Sequence, residues 1–146
     1  MAITTNAICN SFKKELLEGK HDFAQTSGDQ FKLALYTSSA TLGKSTTSFT
    51  TDNQVNASGQ YTSGGGKLAK GSQNTSVTSD VAIVNFGNRS FTGVTLVARG
   101  ALIYNTSNSN TAVAVLDFGG DKTATAGTFT IQFPAFTTSA AILRIT

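Results

Sequence analysis

The chain has 146 residues, enough for one domain with a sizeable core, and only 13% of them are charged, about half the usual share of a soluble protein. Its net charge of +3 comes from basic residues scattered between Lys13 and Arg144, with no stripe that could track phosphates, so nucleic acid is excluded as an expected partner. No apolar window approaches a membrane span and the opening MAITTNAIC has no basic region followed by an apolar run, so neither a membrane role nor a signal peptide is expected.

Thr4 to Gly19 reads as the one helix, about residues 6–18, with Thr5 or Asn6 as cap, Ile8, Phe12 and Leu16 at four-residue spacing, Leu17 beside them, and Gly19 as the left-handed stop. Its apolar stripe predicts packing on a sheet. Cys9 is expected to be a small buried residue there, since no base accompanies it except His21, just past the helix, and a single cysteine forms no internal disulfide.

FKLALYT follows, in which Phe31, Leu33 and Leu35 alternate with Lys32, Ala34 and Tyr36, the pattern of a half-buried strand. Ser38 to Gly71 holds few large apolar residues and six glycines, and is expected to run out from the body with short strands near Val55 and Lys67 to Ala69. Gly64-Gly65-Gly66-Lys67 lacks the spacing and the hydroxyl of a phosphate loop and reads as flexible. Neither Asp52-Asn53 nor Asp117 to Asp121 supplies the alternating oxygen ligands of a calcium site, and no metal is expected. The Asn-X-Ser/Thr triplets at Asn56, Asn74, Asn88 and Asn105 reflect composition only.

From Thr75 the chain becomes regular, with strand-like runs through Val84 and from Phe91 to Val97, and with Gly93 and Gly100 as bulges or bends. The densest apolar material is Ala98 to Phe118, two β-branched-rich runs joined by the polar tip Asn105 to Asn110, which predicts a central hairpin. Gly119 to Gly127 reads as a turn-rich link, Phe129 to Phe133 as a strand ended by Pro134, and AAILRIT as the last strand.

Seven to nine short strands, one N-terminal helix and no βαβ alternation predict a mainly β, single-domain chain over residues 1–146. The architecture expected is an antiparallel β-sandwich or jelly-roll-like barrel with one N-terminal α-helix. One His, one Cys and eight scattered carboxylates offer no convergent set for catalysis, so no enzyme activity, small-molecule substrate or cofactor is expected. Tyr36, Tyr61 and Tyr104 are expected at strand ends with their hydroxyls in solvent.

TTNAICNSFKKELLEGKHDF, GDQFKLALYTSSATLGKSTTSFTTDNQV, SGQYTSGGGKL and ARGALIYNTSNSNTAVAVLDFGGDKTATAGTFTIQFP together resemble a family of small virion structural proteins of tailed bacteriophages. The resemblance covers nearly the whole chain. It implies assembly in the host bacterial cytoplasm, residence in the virion, many copies and no cofactor. Within that setting a capsid decoration or cement protein is expected, bound to the major capsid protein lattice and to copies of itself as a dimer or trimer. The alternatives are a tail, neck or fibre component, or a carbohydrate-binding module contacting the host surface. Candidate interface residues are Asn53, Tyr61 and Lys67 in the excursion, Asn105, Asn108 and Asn110 at the hairpin tip, and Lys122 in the link.

Overall fold

The central hairpin forms where the Asn/Ser/Thr tip separates its two apolar runs, but it is longer than those runs. In the computed structural model, which describes residues 3–70 and 74–146, its arms are β6 (Arg89–Asn105) and β7 (Thr111–Ile131). Gly71, the end of the expected excursion, lies outside the described residues. The other elements are β1 (Ala7–Ile8), α1 (Asn10–Leu17), β2 (Phe31–Tyr36), β3 (Gly66–Lys67), β4 (Thr75–Thr78), β5 (Val81–Val84) and β8 (Leu143–Ile145). They make two antiparallel sheets, ordered β1-β7-β6-β2-β3 and β4-β5-β8, with one short helix, an arrangement consistent with a β-sandwich.

The segment expected as a link, Gly119 to Gly127, belongs to β7. Asp117 lies opposite Gly100 and Lys122 opposite Ala98, so β7 spends five steps where β6 spends two. Gly119, at φ 78, helps absorb the surplus as a bulge, and the ladder then resumes with Thr123 opposite Val97. Further shifts flank Val94, and Gly93 at φ 64 and Ala126 at φ 45 lie beside them. The ribbon consequently bends back on itself. The rings of Phe118 and Phe129 stand 6.0 Å apart, whereas eleven residues of straight strand would span roughly 36 Å.

The helix is shorter than its sequence suggests. Residues 7 and 8 pair with Val115 and Ala114, and Asp117 N–H donates to Asn6 Oδ1 at 2.6 Å, so the residues expected as the first helical turn are held by β7. Ile8 thereby leaves the helical stripe for the sheet. Cys9 takes the cap position with an extended backbone and no capping side-chain bond. Phe12 remains the anchor, while Leu17 is 91% exposed and is no part of the stripe. Gly19 stops the helix at φ 71, as its position predicts.

Strand β2 is covered on both faces, not one. Phe31, Leu33 and Leu35 face an aromatic chain in which Phe23 stacks on Phe31 at 4.6 Å, Phe86 follows at 5.6 Å and Phe133 lies 5.8 Å beyond Phe86. Phe12 joins it through Phe23 at 6.0 Å, tying the helix to the sheet. Each such contact adds about 0.5–1.5 kcal/mol beyond the apolar area buried. Ala34 and Tyr36 lie under the stretch expected to run outward: Tyr36 donates to the Thr50 carbonyl at 2.6 Å, and Phe49 stacks on Tyr104 at 4.7 Å. Ala40, Leu42, Val55, Tyr61 and Leu68 of that stretch are buried. Near Val55 there is a single bridge, Tyr36 to Gln54, in place of a strand.

All three tyrosine hydroxyls point inward, contrary to expectation. Tyr104 donates to the Gly64 carbonyl at 2.6 Å, and Tyr61 receives the Leu35 N–H at 2.8 Å. The glycine run is equally committed. A methyl group on Gly65 would fall onto the Leu33 carbonyl and one on Gly66 onto the Arg89 guanidinium, so the run is close-packed backbone, not a flexible loop.

Candidate functional site

Among the described residues, no group of three or more His, Cys, Asp or Glu side chains could hold a metal ion. The nearest approach to a polar constellation is a network of four side chains behind the hairpin tip. His21, its side chain fully buried, places Nε2 2.6 Å from Glu15 Oε2 and Nδ1 2.9 Å from Asn105 Nδ2. Asn105 Nδ2 also donates to Asp29 Oδ2 at 2.7 Å, while its Oδ1 accepts the Ser107 N–H at 2.9 Å. An amide nitrogen only donates, so His21 Nδ1 is the acceptor and Nε2–H donates to Glu15. With every member turned toward another, the network holds the segment 15–30 against the hairpin tip. Cys9 is buried, and that burial, then the nearby Glu15 carboxylate, pushes its thiol up to about 11.

Two exposed features involve the hairpin. One is a half-open groove of about 870 Å³ inside the bend of β7, lined by Phe118, Phe129, Phe133 and Ile142 and by the exposed Lys122 and Arg144. The single carboxylate in its lining, Asp117, is engaged by Arg99 Nε at 3.3 Å.

The other is the outer face of the far half of the hairpin. Strand alternation there sends Phe91, Val94, Leu96, Ala124, Phe129 and Ile131 inward, and Ser90, Thr92, Thr95, Thr123, Thr125, Thr128 and Thr130 outward. The result is a charge-free two-stranded surface of hydroxyls with one half-exposed apolar residue among them, Val97, opposite Thr123. Ser90 Oγ and Thr130 Oγ1 bond across it at 2.8 Å, and Thr95 Oγ1 accepts the Ala126 N–H at 3.0 Å. Paired hydroxyls hold one another in place while keeping acceptor capacity toward a partner.

Of the residues singled out from sequence, Tyr61 and Asn105 are fully buried and support the fold from within; neither can touch a partner of the folded chain. Asn53 and Asn110, at φ 59 and 57, serve as turn residues, and their carbonyls accept the Thr37 and Phe49 N–H groups. Asn108 is half-buried and donates to the Lys20 carbonyl at 3.1 Å. Lys67 is exposed, and only Lys122 lies beside the groove. The seven do not form one surface. The hydroxyl face went unnamed, although its signature, S-F-T, T-A-T and T-F-T with an apolar residue between two hydroxyls, stands in the sequence. Comparison with known proteins finds no matching family model, no curated relative and no solved structure of significant similarity.

Proposed function

We propose that this chain is a structural protein of a tailed-bacteriophage virion, a capsid decoration or cement protein that binds the major capsid protein lattice. The reading rests on the resemblance in sequence. The observation that carries it is the charge-free hydroxyl face on the far half of β6 and β7, a rigid surface suited to hydrogen-bonded docking. Contacts of this kind vary little with salt, and modest ones become strong when many copies engage one closed shell. The buried polar network and the inward tyrosines fit a part whose work is to hold its shape. They disfavour the carbohydrate-binding alternative, because no tyrosine is left free to stack on a sugar.

The test uses Thr125→Glu combined with Thr128→Glu, at two exposed positions of that face. Desolvating two carboxylates against a charge-free surface should abolish capture by particles grown without the native protein, while far-UV circular dichroism and Tm stay as in the wild type. Undiminished capture by the folded variant would remove the face from the proposal. Purified particles with no copy of the chain would remove the proposal itself.

A further inference from the structure

The small sheet β4-β5-β8 carries an apolar row that is left half in the open. Its strands are in direct register, Val77 opposite Ala82 and Ala82 opposite Ile145, and directly opposed residues share a face. One pair along, on that same face, Thr75 lies opposite Val84 and Val84 opposite Leu143, and there Leu143 and Val84 pack into the core. Two residues further, Val77 is 72% and Ile145 59% exposed. The face that closes the core therefore overhangs it, and the overhang ends at β4.

Among the described residues, nothing pairs with the outer edge of β4. All four residues of Thr75-Ser76-Val77-Thr78 are exposed, with no lysine, proline or bulge, the usual devices against edge pairing. Two stretches of the large sheet's margin, by contrast, are covered. Tyr61 and Val55 bond the outer side of Leu35, and Gln60 and Ser58 bond β6 at Thr92 and Thr95. Ser79 and Asp80, at φ 49 and 64, form a two-residue turn of the primed type. In such a hairpin the closing pair, Thr78 and Val81, is hydrogen-bonded within the hairpin, so the N–H and C=O of Val77 point outward.

We propose that two copies of this chain associate edge to edge through β4, antiparallel, with Val77 opposite its counterpart. A two-fold axis along the sheet normal preserves each copy's faces, so a residue can stand opposite itself. Val77 in that position meets its counterpart through two backbone hydrogen bonds and joins both apolar rows into one, running from Ile145 through Ala82 and Val77 into the second copy. Ser76 opposite itself would leave the rows out of line. The occupant is a second copy because the same edge and the same row complete each other. The inference gives a surface and a register to the self-association expected from the sequence; it is tested on free protein, so its failure leaves capsid binding untouched.

The experiment is sedimentation equilibrium of the wild type and Val77→Lys over the whole soluble concentration range, with oxidative cross-linking of Val77→Cys, Ser76→Cys and Thr125→Cys. Cys9 is buried and does not compete. Expected are a concentration-dependent wild-type dimer, loss of it in Val77→Lys with Tm unchanged, and a Val77→Cys disulfide that forms many-fold faster than the other two. A wild type that stays monomeric, a Val77→Lys variant that associates as the wild type does, or faster linking through Ser76 or Thr125 would each overturn it.

Discussion

Replacing Asn105 by alanine should cost more than any other change at the hairpin tip. The side chain, with no exposed surface, makes three hydrogen bonds: to His21 Nδ1 at 2.9 Å, to Asp29 Oδ2 at 2.7 Å and from Ser107 N–H at 2.9 Å. Ser107 is exposed and Asp29 only half-buried, so both can turn to water, and each loss costs about 1 kcal/mol. His21 Nδ1 cannot turn to water, because its side chain is fully buried, and an orphaned buried acceptor adds about 1–3 kcal/mol. The sum is about 4 kcal/mol, which for a chain of this size lowers Tm by roughly 8–16 °C. Asn110→Gly, five residues along the same turn, is the control: that side chain makes no hydrogen bond, its φ of 57 suits glycine, and the change should be neutral or slightly stabilising. Urea unfolding followed by circular dichroism gives both values, provided the slope m is unchanged. An Asn105→Ala unfolding free energy within about 1 kcal/mol of wild type would refute the assignment of the tip as a structural lock.

Gly65→Ala should destabilise by about 3 kcal/mol or more, because its φ of 75 disfavours a side chain and the added methyl would overlap the Leu33 carbonyl on β2; a thermal melt indistinguishable from wild type would show that the 64–66 run yields freely. Burial, the largest cause in each case, raises the phenols of Tyr36, Tyr61 and Tyr104, that of Tyr61 to about 12. Phenols whose pKa is raised on folding contribute stability that is complete below about pH 10 and is lost as pH climbs through the folded value, so alkaline unfolding should set in between about pH 10 and 12. Tyrosinate absorbance and circular dichroism should change together; ionisation of all three near pH 10 in a still-folded chain would contradict their burial.

The readable parts of this fold were those determined by neighbours in sequence. The tip between β6 and β7 announced itself because Asn, Thr and Ser compete with ladder bonds, and Gly19 because a helix end wants a left-handed residue. What depended on distant chain was misread for one recurring reason. FKLALYT looked half-buried because alternation reports the polarity of Lys32 and not the arrival of Phe49 and Thr50 over Tyr36. Ala7 to Cys9 reads as helical from its own residues, but β7 supplies it with backbone partners. Gly119 to Gly127 looked like a link because glycines mark bulges and turns alike. Two residues of the segments expected to make contacts, Tyr61 and Asn105, are buried for the same reason, because the distant Leu35 and His21 bond them.

The side-chain bonds that tie the N-terminal segment to the hairpin join residues far apart in the chain: 84 positions separate His21 from Asn105, and 111 separate Asn6 from Asp117. During synthesis, therefore, everything from β1 through β2 leaves the ribosome before the strands it must meet exist. Loop closures of that length precede the contacts that reward them and slow the search for the native state. The nascent N-terminal half carries Phe12, Phe23, Phe31 and Phe49 uncovered for most of translation, and its solubility in that interval rests on the Ser, Thr and Asn between them.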